Sequence, residues 1–165
     1  MSAAAPGALK WLWLSAAVIA LDQASKLWIE GSFEPYQRVA LINGFFDLTL
    51  AYNTGAAFSF LADAGGWQRW FFTLLSSLIA VLLVVWLKRL PAGDRLNAAA
   101  LALIIGGAVG NLIDRLAHGH VIDFLLLYYR QWYWPAFNVA DSAISIGVVL
   151  MLAVMFTSAP QQEQS

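Results

Sequence analysis

Two aspartates stand where a hydrolytic pair would be useful. Asp123 lies in Val121-Ile-Asp-Phe124 and Asp141 in Phe137-Asn-Val-Ala-Asp-Ser142. The apolar stretches around them predict that one follows a membrane span and the other opens the next, at about the same depth. If the two helix ends meet, the carboxylates would share a proton, because like charges only about 3 Å apart cannot both ionise. One would then act as general base on a water while its protonated partner donates to the scissile carbonyl. Spacing alone leaves plainer roles open: a helix N-terminal carboxylate for Asp141, stabilised by the macrodipole, and a solvated interfacial charge for Asp123.

Other constellations compete. His118, His120 and Asp123 offer imidazole and carboxylate ligands for zinc, although their spacing is not that of a helical pair. Ser25, Ser59 or Ser142 could complete a Ser-His-Asp set, but none sits in a Gly-x-Ser-x-Gly context. Asp22 and Lys26 stand one helical turn apart within an apolar run and are expected to pair, fixing the orientation of their helix. Asn111, Asp114 and Arg115 fall at the outer end of a later run. They read equally as a polar cap near the headgroups or as groups that orient a substrate backbone. Gly106, Gly107 and Gly110 on the same run allow close helix packing or a groove for a peptide.

The elements that must position these residues follow from composition. The chain has 165 residues, 61% hydrophobic and 12% charged, against about 45–50% apolar and about 25% charged in ordinary soluble domains. A single membrane domain over residues 1–165 is expected. The balance of 9 Lys+Arg against 10 Asp+Glu provides no basic surface, which excludes nucleic acid as a partner. The absence of cysteine removes disulfides, thiolate metal sites and cysteine nucleophiles. A hydrocarbon core about 30 Å thick needs roughly 20 apolar residues, and four runs approach that: about 9–29, 70–87, 96–112 and 140–156. Lys88, Arg89 and Arg95 gather between the second and third runs, so that loop, about 88–95, is expected to be cytoplasmic, with both termini on the same side. Lys10 at the start of the first run agrees, and that run reads as a retained helix rather than a cleaved signal peptide.

The outward connection of about residues 30–69 is long enough to have structure of its own. Residues 38–42 and 45–52 flank the turn dipeptide Asn43-Gly44 and read as a hairpin at the membrane surface. The stretch from Ala57 to Gly66 is expected to form a short interfacial helix. The other outward connection, about 114–138, carries Tyr128, Tyr129, Trp132, Tyr133 and Trp134, an aromatic belt at headgroup depth.

Five motifs in order carry a resemblance. Asp22-Gln-Ala-Ser-Lys26, Asn53-Thr-Gly-Ala-Ala-Phe58, Gly107-Ala-Val-Gly-Asn-Leu-Ile-Asp-Arg115, Val121-Ile-Asp-Phe124 and Phe137-Asn-Val-Ala-Asp-Ser142 together closely resemble the lipoprotein signal peptidase family, also called signal peptidase II. The resemblance covers nearly the whole chain. It implies a bacterial inner-membrane aspartic endopeptidase that removes the signal peptide from prolipoproteins just before a diacylglyceryl-modified cysteine of the substrate. It implies Asp123 and Asp141 as the catalytic pair, and Asn53, Gly55, Asn111, Arg115, Asn138 and Ala140 around them for substrate binding and orientation. Asp22, Lys26 and Asp114 become supports of the polar framework, and no metal or other cofactor is implied. The fold implied is an all-α integral membrane protein of four transmembrane helices, with a small extracytoplasmic β-sheet cradle and an interfacial helix. The expected partners are the lipidated prolipoprotein and membrane lipid, with the enzyme acting as a monomer near the periplasmic face. The alternative from another class is a non-enzymatic membrane scaffold or small transporter subunit.

Overall fold

The computed structural model describes residues 8–55 and 66–157. A 3₁₀ turn, Ala8–Trp11, leads into helix α1 (Leu12–Ser32). Strands β1 (Arg38–Ile42) and β2 (Phe46–Asn53) follow, then helices α2 (Trp67–Arg89) and α3 (Arg95–Ala117). Strands β3 (Val121–Tyr129) and β4 (Trp132–Tyr133) precede the last helix, α4 (Val139–Thr157). The stretch read as an interfacial helix lies, over residues 57–65, outside the described residues.

Among the described residues three helices, α2, α3 and α4, are long and apolar enough to cross a membrane. Helix α1 is a fourth long helix but carries Asp22, Lys26 and Glu30 along its length. Helix α3 is the central one. Over its apolar window 56% is buried inside the molecule, against 22% for α2 and 17% for α4; the outer two leave broad apolar faces for lipid. Glycine makes this packing possible. A Cβ on Gly106 would meet Val18 Cβ at 2.8 Å, one on Gly107 would strike the Ala140 carbonyl oxygen, and one on Gly110 would meet Asp22 Oδ2 at 2.7 Å. These three glycines therefore pack α3 against α1 and α4, and the space that a bound peptide would need there is taken up by the protein's own helices.

The expectation of an all-α molecule needs correction, because the hairpin is half of a four-stranded antiparallel sheet in the order β1-β2-β3-β4. The turn between β1 and β2 places Gly44 at φ +81°, the left-handed conformation that a short hairpin connection needs. The stretch read as an aromatic surface connection supplies β3 and β4. Its first half, Val121 to Phe124, is buried rather than interfacial. Ile122 and Phe124 pack with Ile29 of α1 and Leu50 of β2, which seats the sheet on the C-terminal end of α1. The belt aromatics Tyr129, Trp132, Tyr133 and Trp134 remain exposed. At the opposite end Ala8, Leu87, Ala98, Leu101 and Ile105 form a second apolar cluster.

Candidate active site

Helix α3 does not stop where its apolar run does; it continues to Ala117 and carries Asn111, Asp114 and Arg115 into the interior, where all three are buried. They are packed inside the molecule and do not stand exposed on its surface. Lys26 Nζ lies 2.7 Å from Asp22 Oδ2, 2.8 Å from Asp114 Oδ2 and 3.0 Å from Asn111 Oδ1. Three ammonium protons meet three acceptors, so the buried charge is both paired and hydrogen-bonded. Asp22 and Lys26 pair as their spacing suggested, with Asp114 as a third member that links α1 to α3. Gln23, which sequence reasoning passed over, donates to Asp114 Oδ1 at 2.8 Å; its place inside the Asp22-to-Lys26 motif was the available signal.

The framework reaches α4 through its first turn. Asn138 precedes that helix, and its Oδ1 accepts from the Asp141 backbone N–H at 2.9 Å, an N-cap bond. Asp22 Oδ1 accepts from the Ala140 N–H, also at 2.9 Å. Two N–H groups that the helix itself cannot satisfy are thereby held by side chains, and one of those side chains belongs to α1.

Asp123 and Asp141 line the same cavity, each held by this framework. Asp123, on β3, accepts from Asn53 Nδ2 at 3.0 Å on one oxygen and from Asn138 Nδ2 at 2.7 Å on the other. Asp141 accepts from Asn111 Nδ2 at 2.7 Å. The orientation of Asn111 follows from its neighbours: its Oδ1 faces the Lys26 ammonium, which leaves the amide nitrogen for Asp141. Asn53 is aimed in turn by Gly55, whose N–H donates to Asn53 Oδ1 at 3.0 Å. Arg115 donates to the Gly55 carbonyl at 3.2 Å, and its guanidinium lies over the Phe72 ring at 5.5 Å.

Both carboxylates line one cavity of about 580 Å³, together with Asn53, Asn111 and Arg115. Leu127, Trp134, Ile144 and Ile146 form an apolar flank. Asp123 is 3% exposed, so it is no solvated surface charge. Burial first, and the neighbouring Asp141 second, push its carboxyl up to about 7, against the opposing pull of Asn53, Lys26 and Asn138. A carboxyl in that range can hold a proton near neutral pH and give it up.

Among the described residues the competing zinc set does not assemble. The ring of His120 packs edge-on against Tyr52 at 4.4 Å, and its imidazole is held below its ordinary value by burial and by His118. Asp123 instead faces its two asparagines, and among the described residues no three His, Cys, Asp or Glu side chains gather as a metal ligand set. Ser25 and Ser142 each donate to a backbone carbonyl of their own helix turn; Ser59 lies outside the described residues. The bridge between Leu125 and Phe137 also escaped sequence reasoning. It sets the chain before α4 against β3 and so brings Asn138 beside Asp123.

Comparison with known proteins bears on this site. Residues 14–157 match the family model described as signal peptidase (SPase) II. A lipoprotein signal peptidase of Pseudomonas fluorescens (strain Pf0-1) is 56% identical over 153 residues, covering 92% of this chain and 90% of that protein. One from Pseudomonas aeruginosa (strain PAO1) is 53% identical over the same length and shares. Two solved structures, both titled as a bacterial membrane enzyme determined by the in meso method, at 2.3 Å and 1.9 Å resolution, superpose with TM-scores of 0.84 and 0.78 at 27% identity. They cover 94% and 91% of this chain, and 93% and 94% of their own. A non-enzymatic scaffold or transporter subunit does not fit such relatives. With its family model matched over most of its length and relatives above half identity, the chain belongs to the signal peptidase II family of bacterial membrane hydrolases.

Proposed function

We propose that the protein is an aspartic endopeptidase that removes the signal peptide from prolipoproteins just before a diacylglyceryl-modified cysteine, with Asp123 and Asp141 as its catalytic dyad. The observation that carries this reading is the opening of both carboxylates into one cavity with an apolar flank, each held by asparagine amides. Asp123, pushed up to about 7, is taken as the proton-bearing member, which leaves Asp141 the role of base. Asp141 takes a proton from water as the water oxygen bonds to the scissile carbonyl carbon, and Asp123 gives its proton to the carbonyl oxygen. Asp141 then protonates the leaving nitrogen, Asp123 recovers a proton from one hydroxyl of the tetrahedral intermediate, and the C–N bond breaks. The dyad ends as it began.

Asn53, Gly55, Asn111, Arg115, Asn138 and Ala140 position the pair and the substrate backbone, whose freed polar groups need partners in so apolar a setting. Asp22, Lys26 and Asp114 support them. The cluster Lys88, Arg89 and Arg95 at the far end of the bundle supports an orientation with that loop and both termini cytoplasmic, all four long helices crossing the inner membrane, and the cavity near the periplasmic face. The sheet would then act as a cradle over the lipidated substrate, and the enzyme would work as a monomer without metal. The test is cleavage of a diacylglyceryl-modified prolipoprotein by detergent-purified protein, with and without chelator, beside Asp123→Asn and Asp141→Asn. Chelator-resistant cleavage lost in both variants is expected. Sustained cleavage by either variant would overturn the dyad, and chelator-sensitive cleavage would overturn the metal-free mechanism.

A further inference from the structure

The corner between α3 and β3 spans only three residues, His118 to His120, yet it joins the helix that carries Arg115 to the strand that carries Asp123. A helix C-terminus leaves carbonyls without partners in its own helix. Here a side chain from another helix takes two of them: Arg69, in the first turn of α2, donates through Nε to the Arg115 carbonyl at 2.9 Å and through Nη2 to the Leu116 carbonyl at 2.9 Å. Its cation also complements the negative end of the α3 dipole. The Arg69 side chain also packs against the corner itself. A Cβ on Gly119 would come within 3.1 Å of Arg69 Nη1, and Gly119 stands at φ +83°, so both its backbone conformation and its missing side chain fit this contact. The central carbon of the guanidinium also lies 5.2 Å from the centre of the Trp70 ring. The Gly119 N–H donates to the same Arg115 carbonyl at 3.1 Å, which ties the corner and the arginine to a single acceptor.

We propose that Arg69 is a positioning residue for peptide cleavage: reaching across from α2, it clamps the last carbonyls of α3 and the Gly119 corner, and so sets where Arg115 and the strand bearing Asp123 stand relative to Asp141. This rests on the dyad reading above. It adds a link that the motif residues do not contain, because Arg69 lies outside all five. Two consequences separate a positioning role from a merely structural one. A loosened corner displaces Asp123 and one substrate contact, Arg115, while the other groups that grip substrate stay in place, so kcat falls by more than KM rises. It also admits water to Asp123, whose proton is retained mainly by burial; the alkaline limb of the pH–rate profile therefore moves to lower pH. The charged groups facing Asp123 are Asp141 from α4, Lys26 from α1 and Arg115 from α3, with His118 and His120 on the corner itself.

The experiment is kcat, KM and the pH–rate profile of detergent-purified full-length Arg69→Ala and Arg69→Lys on a diacylglyceryl-modified prolipoprotein, normalised to folded protein. Arg69→Ala is expected to lower kcat roughly ten- to a hundredfold, the scale of a misplacement of about 1 Å at reacting groups. KM rises by less than kcat falls, and the alkaline limb shifts to lower pH. Arg69→Lys, which keeps the charge but not the fork that reaches two carbonyls, is expected to recover part of kcat. Unchanged kcat per folded molecule in Arg69→Ala, or a change in KM alone, would overturn the inference. Should the alanine variant not fold, the lysine variant decides: a partial loss of kcat supports the role and a wild-type kcat overturns it. Failure of the dyad reading would show separately, as turnover retained by Asp123→Asn.

Discussion

At the scale of single residues, the two aspartates differ in how they are held. Asp123 sits on a buried strand with an asparagine amide on each oxygen, whereas Asp141 stands in the first turn of α4 with Asn111 as its partner. Replacing either with asparagine keeps the size and removes the proton chemistry. A fall in kcat of about 10²–10⁴-fold or more is expected, with membrane insertion and folded yield unchanged, checked by turnover per folded molecule. The pH dependence follows from Asp123, whose carboxyl lies near 7 instead of the ordinary 3.8. In the proposed mechanism Asp123 is the acid, so cleavage should decline as pH rises through about 7 and that proton is lost. Stability has the same sign. The folded protein binds this proton more tightly than the unfolded chain does, so the contribution is complete below the ordinary carboxylate value and is lost as pH rises through about 7. In Asp123→Asn that part of the decline in thermal midpoint between the two values should vanish.

At the scale of elements, α4 is placed by its neighbours more than by its own sequence. Its first turn is capped by Asn138 and by Asp22 of α1, and its flank rests on α3 where Gly107 leaves room for the Ala140 carbonyl and for Ile144. Gly107→Ala would drive a methyl into that backbone, and α4, with Asp141 on it, must move. A destabilisation of about 1–3 kcal/mol is expected, together with a loss of turnover larger than the loss of folded protein, read by thermal melting in detergent beside the cleavage rate. Much of the element plan was legible. The four long helices, the hairpin around Asn43-Gly44 and the Asp22–Lys26 pair all carry local signals: apolar runs, a turn dipeptide and helical spacing. Strand β3 carried only a weaker one. Its apolar run from Phe124 to Leu127 lies in the connection read as a surface belt, and only pairing with β2 makes it a strand.

At the scale of the whole molecule, one ammonium group ties the bundle together. Lys26 joins Asp22 of its own helix to Asp114 and Asn111 of α3, and Asp114 in turn accepts from the Ile122 N–H of β3 at 3.1 Å. Lys26→Ala would leave two buried carboxylates without their shared cation, a loss of about 3–5 kcal/mol for a broken buried pair. Folded yield and thermal midpoint are expected to fall more than turnover per folded molecule. A variant with an unchanged midpoint and lost turnover would move Lys26 from support into the reaction itself.

The sequence by itself determined the membrane setting, the run of helices and the identity of the polar residues, because these depend on composition and on spacing along one chain. It also singled out Asp123 and Asp141, since charges beside apolar spans are few. What only the tertiary structure decided is how those residues meet. The Asn138 amide that joins Asp123 to the start of α4, the Arg69 clamp on the end of α3 and the β2–β3 pairing each link segments far apart in the chain. No local pattern encodes such contacts. They arise because buried polar groups must find partners wherever the packed helices and sheet bring them.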